Sequence, residues 1–334
     1  MKHREAVSSV ILAIVLLAAP LVADAQQPVK VPTIGYLSQF SGSAEPKSPN
    51  LEAFLQGLRE LGYVEGKNIA IQYRFTEGKN DRLPELAAEL VRLKVDIIVT
   101  ETGQASIHSK KATQTIPIVM GASGDAVSQG LVASLAHPGG NVTGLTAASP
   151  ATTGKRLQLL TEAVPKLTHV GVLWSGISSP VSDREWAETR SAAQPLKVQL
   201  YSLKASGPED LPGAFAEAAR QPIQALLVFD VSGLGTTATA ARIAEMAVLN
   251  RLPMMFPSPV YAQQGGLMSY GVNTPALNRR AATYVDRILK GANPAELPVE
   301  QPTKFVLIIN MKTAKALGLT IPQSVLSQAD RVIK

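Results

Sequence analysis

The sequence predicts an α/β protein of two lobes, each a parallel sheet flanked by helices. Three observations carry that expectation. Short apolar β-forming runs alternate with stretches of helical periodicity, a pattern that calls for parallel strands and right-handed crossovers. The series of strands is written twice in the chain. The 334 residues are 46% hydrophobic and 17% charged, with aromatics at only 5%, which is enough apolar material for two cores.

The repetition runs strand by strand. "TIGYLS" (Thr33 to Ser38) is echoed by "HVGVLWS" (His169 to Ser175), and "NIAIQYRF" (Asn68 to Phe75) by "KVQLYSLK" (Lys197 to Lys204). "DIIVTETG" (Asp96 to Gly103) matches "ALLVFDVSG" (Ala225 to Gly233), and "IPIVMGAS" (Ile116 to Ser123) matches "LPMMFPSP" (Leu252 to Pro259). "NVTGLT" (Asn141 to Thr146) pairs with "GLMSYG" (Gly266 to Gly271). Each run is short, bounded by turn residues and rich in β-formers, as buried strands are.

Helical spacing fills the gaps. Leu51, Phe54, Leu55, Leu58 and Leu61 fall on one face of a helix that Gly62 ends, and Leu83, Leu86, Ala87, Leu90 and Leu93 make a second such face. "DLPGAFAEAAR" (Asp210 to Arg220) and "TATAARIAEMAVLN" (Thr237 to Asn250) take the same places in the second half. A long helix over Thr274 to Pro294, and then a strand and helix over Lys304 to Gly318, imply a chain that crosses between lobes more than twice. The expected division is 28–147 plus about 274–297 for one lobe, and 148–273 plus about 298–334 for the other.

The first residues follow a different logic. Lys2, His3 and Arg4 precede the apolar run Val10 to Val22 and the small residues of Ala23-Asp24-Ala25, so residues 1–25 read as a cleaved secretory signal. The run is shorter than a spanning helix needs, and Pro20 interrupts its end. No other apolar run could span a bilayer, and the absence of cysteine excludes disulfides, thiolate metal sites, a cysteine nucleophile and the acylated cysteine of exported lipoproteins. The mature product is therefore expected to be periplasmic, monomeric and not membrane-anchored. The formal charge of +6 is scattered without a basic block, so nucleic acid is not an expected partner.

In open parallel sheets ligands bind beyond the carboxyl ends of the strands, which directs attention to the loops that follow them. After Val99 the chain turns through Thr100 to Gln104, and Gly103, Gln104, Ala105 and Ser106 start a helix whose free amides suit a carboxylate or phosphate. Thr102 either caps that helix, binds a ligand, or does both. Asp125, after "GASGD", could receive an ammonium group or cap a turn. The loops after matched strands add Ser38 in the first half, and Trp174, Ser178, Asp230, Ser232 and Tyr270 in the second. Ser175, Ser179, Phe256 and Tyr261 lie near the same ends, the aromatics as cleft wall or as core. No histidine pair has metal-ligand spacing, and no G-x-S-x-G, Walker or G-x-G-x-x-G motif is present, so no metal, cofactor or catalytic residue is expected. Glu101, Asp125 and Asp230 as an acid and base set are the weaker, enzymatic alternative.

At this point a resemblance is legible. "IGYLS", "FLQGLRELGYVEGKNIAIQYRFTEGKNDRLPELAAELVRLKVDIIVT", "GLVASLAHPGGNVTG", "RLPMMFPS", "GGLMSYG" and "AELPVEQPTKFVLIINMKTAKALGLTIPQSVL" look like ABC-transporter substrate-binding proteins of the group with tryptophan- and tyrosine-binding members. The resemblance covers nearly the whole mature chain. It implies a type I periplasmic binding fold, two Rossmann-like lobes joined by hinge strands and closing on a small-molecule ligand for an ABC permease and its ATPase. It further implies that the helix start at Thr102 to Ser106 holds the ligand's carboxylate and that Asp125 lies near its amino group. The family's usual Gly-Asp-Pro reads Gly124-Asp125-Ala126 here, and its Ala-Thr-Pro-like helix start reads Gly103-Gln104-Ala105-Ser106. A sensory receptor with the same cleft, and an exported enzyme, are the other readings.

Overall fold

The computed structural model describes residues 31–39, 48–77, 79–147, 151–229 and 237–334. The signal read over 1–25, together with Asp230 and Ser232, lies outside the described residues.

The first sheet holds β1 (Thr33–Ser38), β2 (Ala70–Phe75), β3 (Ile97–Thr100), β4 (Ile118–Ser123) and β5 (Val142–Thr146) in the order β2-β1-β3-β4-β5, with every pairing parallel. The second holds β6 (His169–Trp174), β7 (Gln199–Lys204), β8 (Ala225–Val228), β9 (Met254–Phe256) and β10 (Met268–Val272) in the order β7-β6-β8-β9-β10. Strands that match in sequence thus occupy matching positions. The second sheet continues into β11 (Phe305–Asn310), antiparallel to β10, and β12 (Arg331–Ile333), parallel to β11. Both additions come after the repeat ends. The three-residue β12 is too short to carry an alternating pattern, and the sequence reading did not anticipate it.

Alternation sorts the first sheet's side chains to two faces. Ile34, Tyr36, Ile97, Val99 and Val119 pack on one side against α1 (Pro49–Glu60), while Leu37, Ile98, Ile118 and Met120 pack on the other against α2 (Leu83–Arg92) and α3 (Gly103–Ala112). The helix faces are those the spacing predicts: Leu51, Phe54, Leu55 and Leu58 in α1, and Leu83, Leu86, Ala87 and Leu90 in α2, are buried. Each such side chain contributes about 1.5–3 kcal/mol when it leaves water. Ser48 caps α1, its hydroxyl accepting the Leu51 amide at 3.1 Å. Gly62, read as a helix stop, adopts a positive φ of +86°, and Gly291, just beyond the helix that follows β10, one of +94°.

In the second half, α4 (Ala151–Ala163), α5 (Pro180–Leu196), α6 (Leu211–Arg220) and α7 (Thr237–Leu249) flank the second sheet, and α8 (Pro259–Gln263) is a short turn between β9 and β10. After β10 the chain returns to the first sheet as α9 (Thr274–Leu289), which buries Ala281, Ala282, Tyr284 and Val285 against α1 and the sheet. It then runs beside β5, where the Glu300 amide donates to the Gly144 carbonyl at 3.0 Å, and enters β11. The last helices, α10 (Met311–Ala316) and α11 (Gln323–Leu326), close the chain with β12.

The contact of α1 with α9 is made at backbone distance. A Cβ on Gly57 would stand 2.4 Å from the Arg279 carbonyl oxygen and 2.9 Å from the Ala282 Cβ. Likewise a Cβ on Gly121 of β4 would meet the Asn278 side chain of α9 at 2.2 Å. Gly57→Ala would gain up to about 1 kcal/mol of helix propensity, but a methyl pressed on a carbonyl cannot be relieved by rotating a side chain. We expect Gly57→Ala to lower stability by about 1–3 kcal/mol, measured as a shift of the urea midpoint without a change in m-value.

Candidate functional site

The strands of each sheet run parallel from β1 to β5 and from β6 to β10, so their carboxyl ends gather on one edge. On the first sheet's edge the backbone turns at Thr102, in extended conformation, and α3 begins at Gly103 as expected. The Thr102 hydroxyl accepts the Ala105 amide at 3.4 Å, so this residue is the helix cap. Ser106 is buried and bonds the Thr100 hydroxyl at 2.7 Å and the Thr102 carbonyl at 2.9 Å, which locks the turn from beneath. Ala105 is buried and Gln104 is exposed at the helix start. Gly103 lies under a neighbour: a Cβ there would stand 2.8 Å from Gln129 Oε1 and 3.2 Å from Ser123 Oγ. Gln129 also covers Gly124, whose Cβ would fall 2.9 Å from Gln129 Nε2. The two glycines therefore make a small cradle at the helix start with Gln129 across it. Nothing in the sequence singled Gln129 out, because it returns to this place only through the turn Ala126–Gly130.

Ser38 takes a different part. Its side chain is fully buried and its hydroxyl donates a short hydrogen bond to Glu101, one strand over. Asn50, from the first turn of α1, donates to the other oxygen of Glu101 at 2.8 Å. Glu101 is 2% exposed. Burial pushes its carboxyl above the usual carboxylate range, and the hydrogen bonds from Ser38 and Asn50 pull back without cancelling it. This cluster ties the end of β1, the end of β3 and the start of α1 together, so Ser38 and Glu101 shape the edge from inside it.

Asp125 follows β4. Its Oδ1 accepts the amides of Val127 and Ser128 at 3.2 and 3.1 Å, and its Oδ2 accepts Arg184 Nη1 of α5 at 2.5 Å. Burial works upward on this carboxyl, but the Ser128 amide and the Arg184 guanidinium outweigh it and hold it below the usual range. The loop after β4 therefore meets the early part of α5 at this ion pair. In the second half Ser178 bonds Asp183 at 2.9 Å, just ahead of the capping box that Ser179 and Ser182 form at the start of α5. Trp174 donates to Ser202 Oγ at 2.8 Å and meets Trp186 edge-on at 5.7 Å. Tyr270 lies beside Phe305, ring centroids 5.9 Å apart, and Phe256 and Tyr261 stack at 4.9 Å within the core. The structure thus gathers Thr102, Gly103, Gln104, Ala105 and Asp125 on one edge, with Arg184 reaching that edge from α5. Trp174, Ser178 and Tyr270 make their contacts within the second half. The buried Arg156 was also unforeseen: it donates to the Val228 carbonyl at 3.2 Å, Thr153 at 2.6 Å and Glu185 at 3.0 Å.

Comparison with known proteins places this architecture. A family model described as ABC transporter substrate binding protein matches residues 47–333. The chain belongs to that family. The tyrosine-binding protein of Clostridioides difficile is 26% identical over 273 residues, covering 80% of this chain and 76% of the relative. Among solved structures, an ABC domain from Streptococcus pneumoniae in complex with L-Trp superposes with a TM-score of 0.81 at 24% identity, covering 90% of this chain and 99% of the other. The ligand-free, open structure of a substrate binding protein with adhesive properties from Clostridium difficile gives 0.69 at 22% identity, covering 91% and 99%. The fold of this substrate-binding protein is the type I periplasmic one, with two mostly parallel sheets flanked by helices. Among the described residues no helix is long and apolar enough to cross a membrane, and no group of three metal-ligating side chains is present.

The buried carboxyl of Glu101 gives a pH dependence. Its folded pKa lies above its unfolded value, so its contribution to stability is full below about pH 4.3 and is lost as pH rises through the folded value. Glu101→Gln can keep both hydrogen bonds, one as acceptor and one as donor. We expect the wild-type chain to lose stability relative to Glu101→Gln as pH rises through that range, at up to about 1.4 kcal/mol per pH unit, read from urea midpoints across a pH series.

Proposed function

We propose that this protein is the periplasmic solute receptor of an ABC importer, binding an amino acid or related carboxylate and handing it to a permease driven by its ATPase. The observation that carries this reading is the start of α3: a capped helix N-terminus with a glycine at its first position, opening on the edge where the two sheets meet. The partial positive charge and free amides of such a helix start suit a carboxylate. Family membership supplies the class of activity, and the names of two relatives, one tyrosine-binding and one bound to L-Trp, favour aromatic amino acids as the first ligands to try. Gly103 and Gly124 supply room for a ligand group to approach the backbone, and Gln129 supplies an amide that can donate or accept. The signal read over residues 1–25 would deliver the chain to the periplasm.

The mechanism needs no bond to be made or broken. A ligand held by both lobes binds the closed form better than the open one, and that difference in affinity is what shifts the population toward closure. Selectivity follows from the cost of leaving a desolvated carboxylate or amide unpaired when the wrong molecule enters.

The test is calorimetry of the mature protein with L-tyrosine, L-tryptophan and L-phenylalanine, after native mass spectrometry of protein purified without unfolding. A co-purifying carboxylate, or saturable binding of one of the three without turnover, is the expected result; chemical conversion of the bound molecule would move the reading to an enzyme. Gly103→Val should weaken that binding at least about tenfold, because the new side chain occupies the cradle and costs the ligand its close approach to the helix amides.

A further inference from the structure

Arg184 has two candidate partners and reaches one of them. It stands in α5 with its Nη1 on Asp125 Oδ2, across from its own half of the chain. Asp125 is preset for this role, since its other oxygen is committed to the amides of Val127 and Ser128. One turn further along α5, at the i+4 position that shares a helix face with Arg184, stands Glu188. Its Oε2 is buried and has no hydrogen-bond partner among the described residues. Burial pushes the Glu188 carboxyl up, and the guanidinium charges of Arg184 and Arg156 pull it back only in part. Both Nη groups of Arg156 are held by Val228, Thr153 and Glu185, and its buried Nε has no hydrogen-bond partner among the described residues. Of the two acids that flank Arg184 in sequence, Asp183 is engaged by Ser178 and Glu185 by Arg156.

The geometry points to Arg184 as a two-position switch between the lobes: it pairs with Asp125 when the lobes meet, and with Glu188 of its own helix when they part. Separation would break the ion pair of Arg184 with Asp125 and return the guanidinium to a carboxylate one helical turn away. Exposed ion pairs are weak, and an Arg that precedes its Glu by four residues is in the less favourable order along a helix. A weak pair on either side biases the balance between open and closed forms without fixing it, so a ligand can still decide it. This inference rests on the reading of the two halves as lobes that open and close, and not on the identity of the ligand.

Its test uses the ligand-free mature protein, which keeps it separate from the binding experiment above. The chain has no cysteine, so Glu85→Cys in α2 and Arg242→Cys in α7 can be the sole sites for a pair of dyes. Both residues are exposed and belong to helices that follow the carboxyl ends of strands, one in each half. Single-molecule energy transfer then reads the ratio of closed to open forms. Glu188→Gln removes the open-state partner and should raise that ratio about two- to fivefold; Asp125→Asn removes the closed-state partner and should lower it by a similar factor. In an Arg184→Gln background both effects should vanish. Circular dichroism and the thermal midpoint verify that each variant is folded. Shifts of the same sign for Glu188→Gln and Asp125→Asn, shifts that survive Arg184→Gln, or a single unchanged distance in every variant would each overturn the switch.

Discussion

Because β1 to β5 pair only in parallel, each strand has to be followed by a segment that carries the chain back along a face of the sheet, and every carboxyl end falls on the same edge. That constraint fixes where Ser38, Glu101, Thr102 and Asp125 can be, although long stretches of chain separate them. It also makes helix starts, with their unsatisfied amides, converge on the edge where the other half of the molecule arrives. The second sheet repeats the arrangement from β6 to β10, so both edges are built alike. Chemistry at the site is then a matter of which short polar residues stand at those ends.

Two kinds of buried charge serve that edge. Glu101 is enclosed within one half and joined to Ser38 and Asn50, so it holds two strand ends and a helix start in fixed relation. Arg156 does the comparable work in the other half, tying α4 to α5 and to the end of β8 through Glu185 and the Val228 carbonyl. Burying such groups is costly unless their bonds are made, and both oxygens of Glu101 and both Nη groups of Arg156 have partners. The pair of Asp125 with Arg184 is of another kind. Arg184 is 46% exposed, so its bond with Asp125 is weak enough to be exchanged.

The strands, the duplication and the main helices were legible in the sequence because each is written in local spacing: Leu51 to Leu58 in one helix face, Ile97 to Val99 in one strand. The start of α3 was legible for the same reason, since a strand, a Thr and a Gly in succession specify a turn and a cap. Partnerships were not. Ser38 finds Glu101 across 63 residues and Asp125 finds Arg184 across 59, and no local pattern encodes a partner at that distance. Asp125 shows the limit well: the sequence offers it a turn cap or a ligand's ammonium group, and the structure gives one oxygen to the cap and the other to Arg184. Gln129 left no signal at all, being one polar residue in a turn until the chain folds it over Gly103.

The helix α9 belongs to the first sheet but is encoded after the five strands that open the second. Read in the order of synthesis, the first half emerges early yet lacks the cover for one flank of α1 and for β4 and β5 until residues 274–289 have followed. The half that begins first is therefore the one that finishes last. A nascent or prematurely ended chain would carry a sheet face only partly covered by α1, a surface for chaperones to hold, and the two halves mature as a coupled pair rather than as beads on a string.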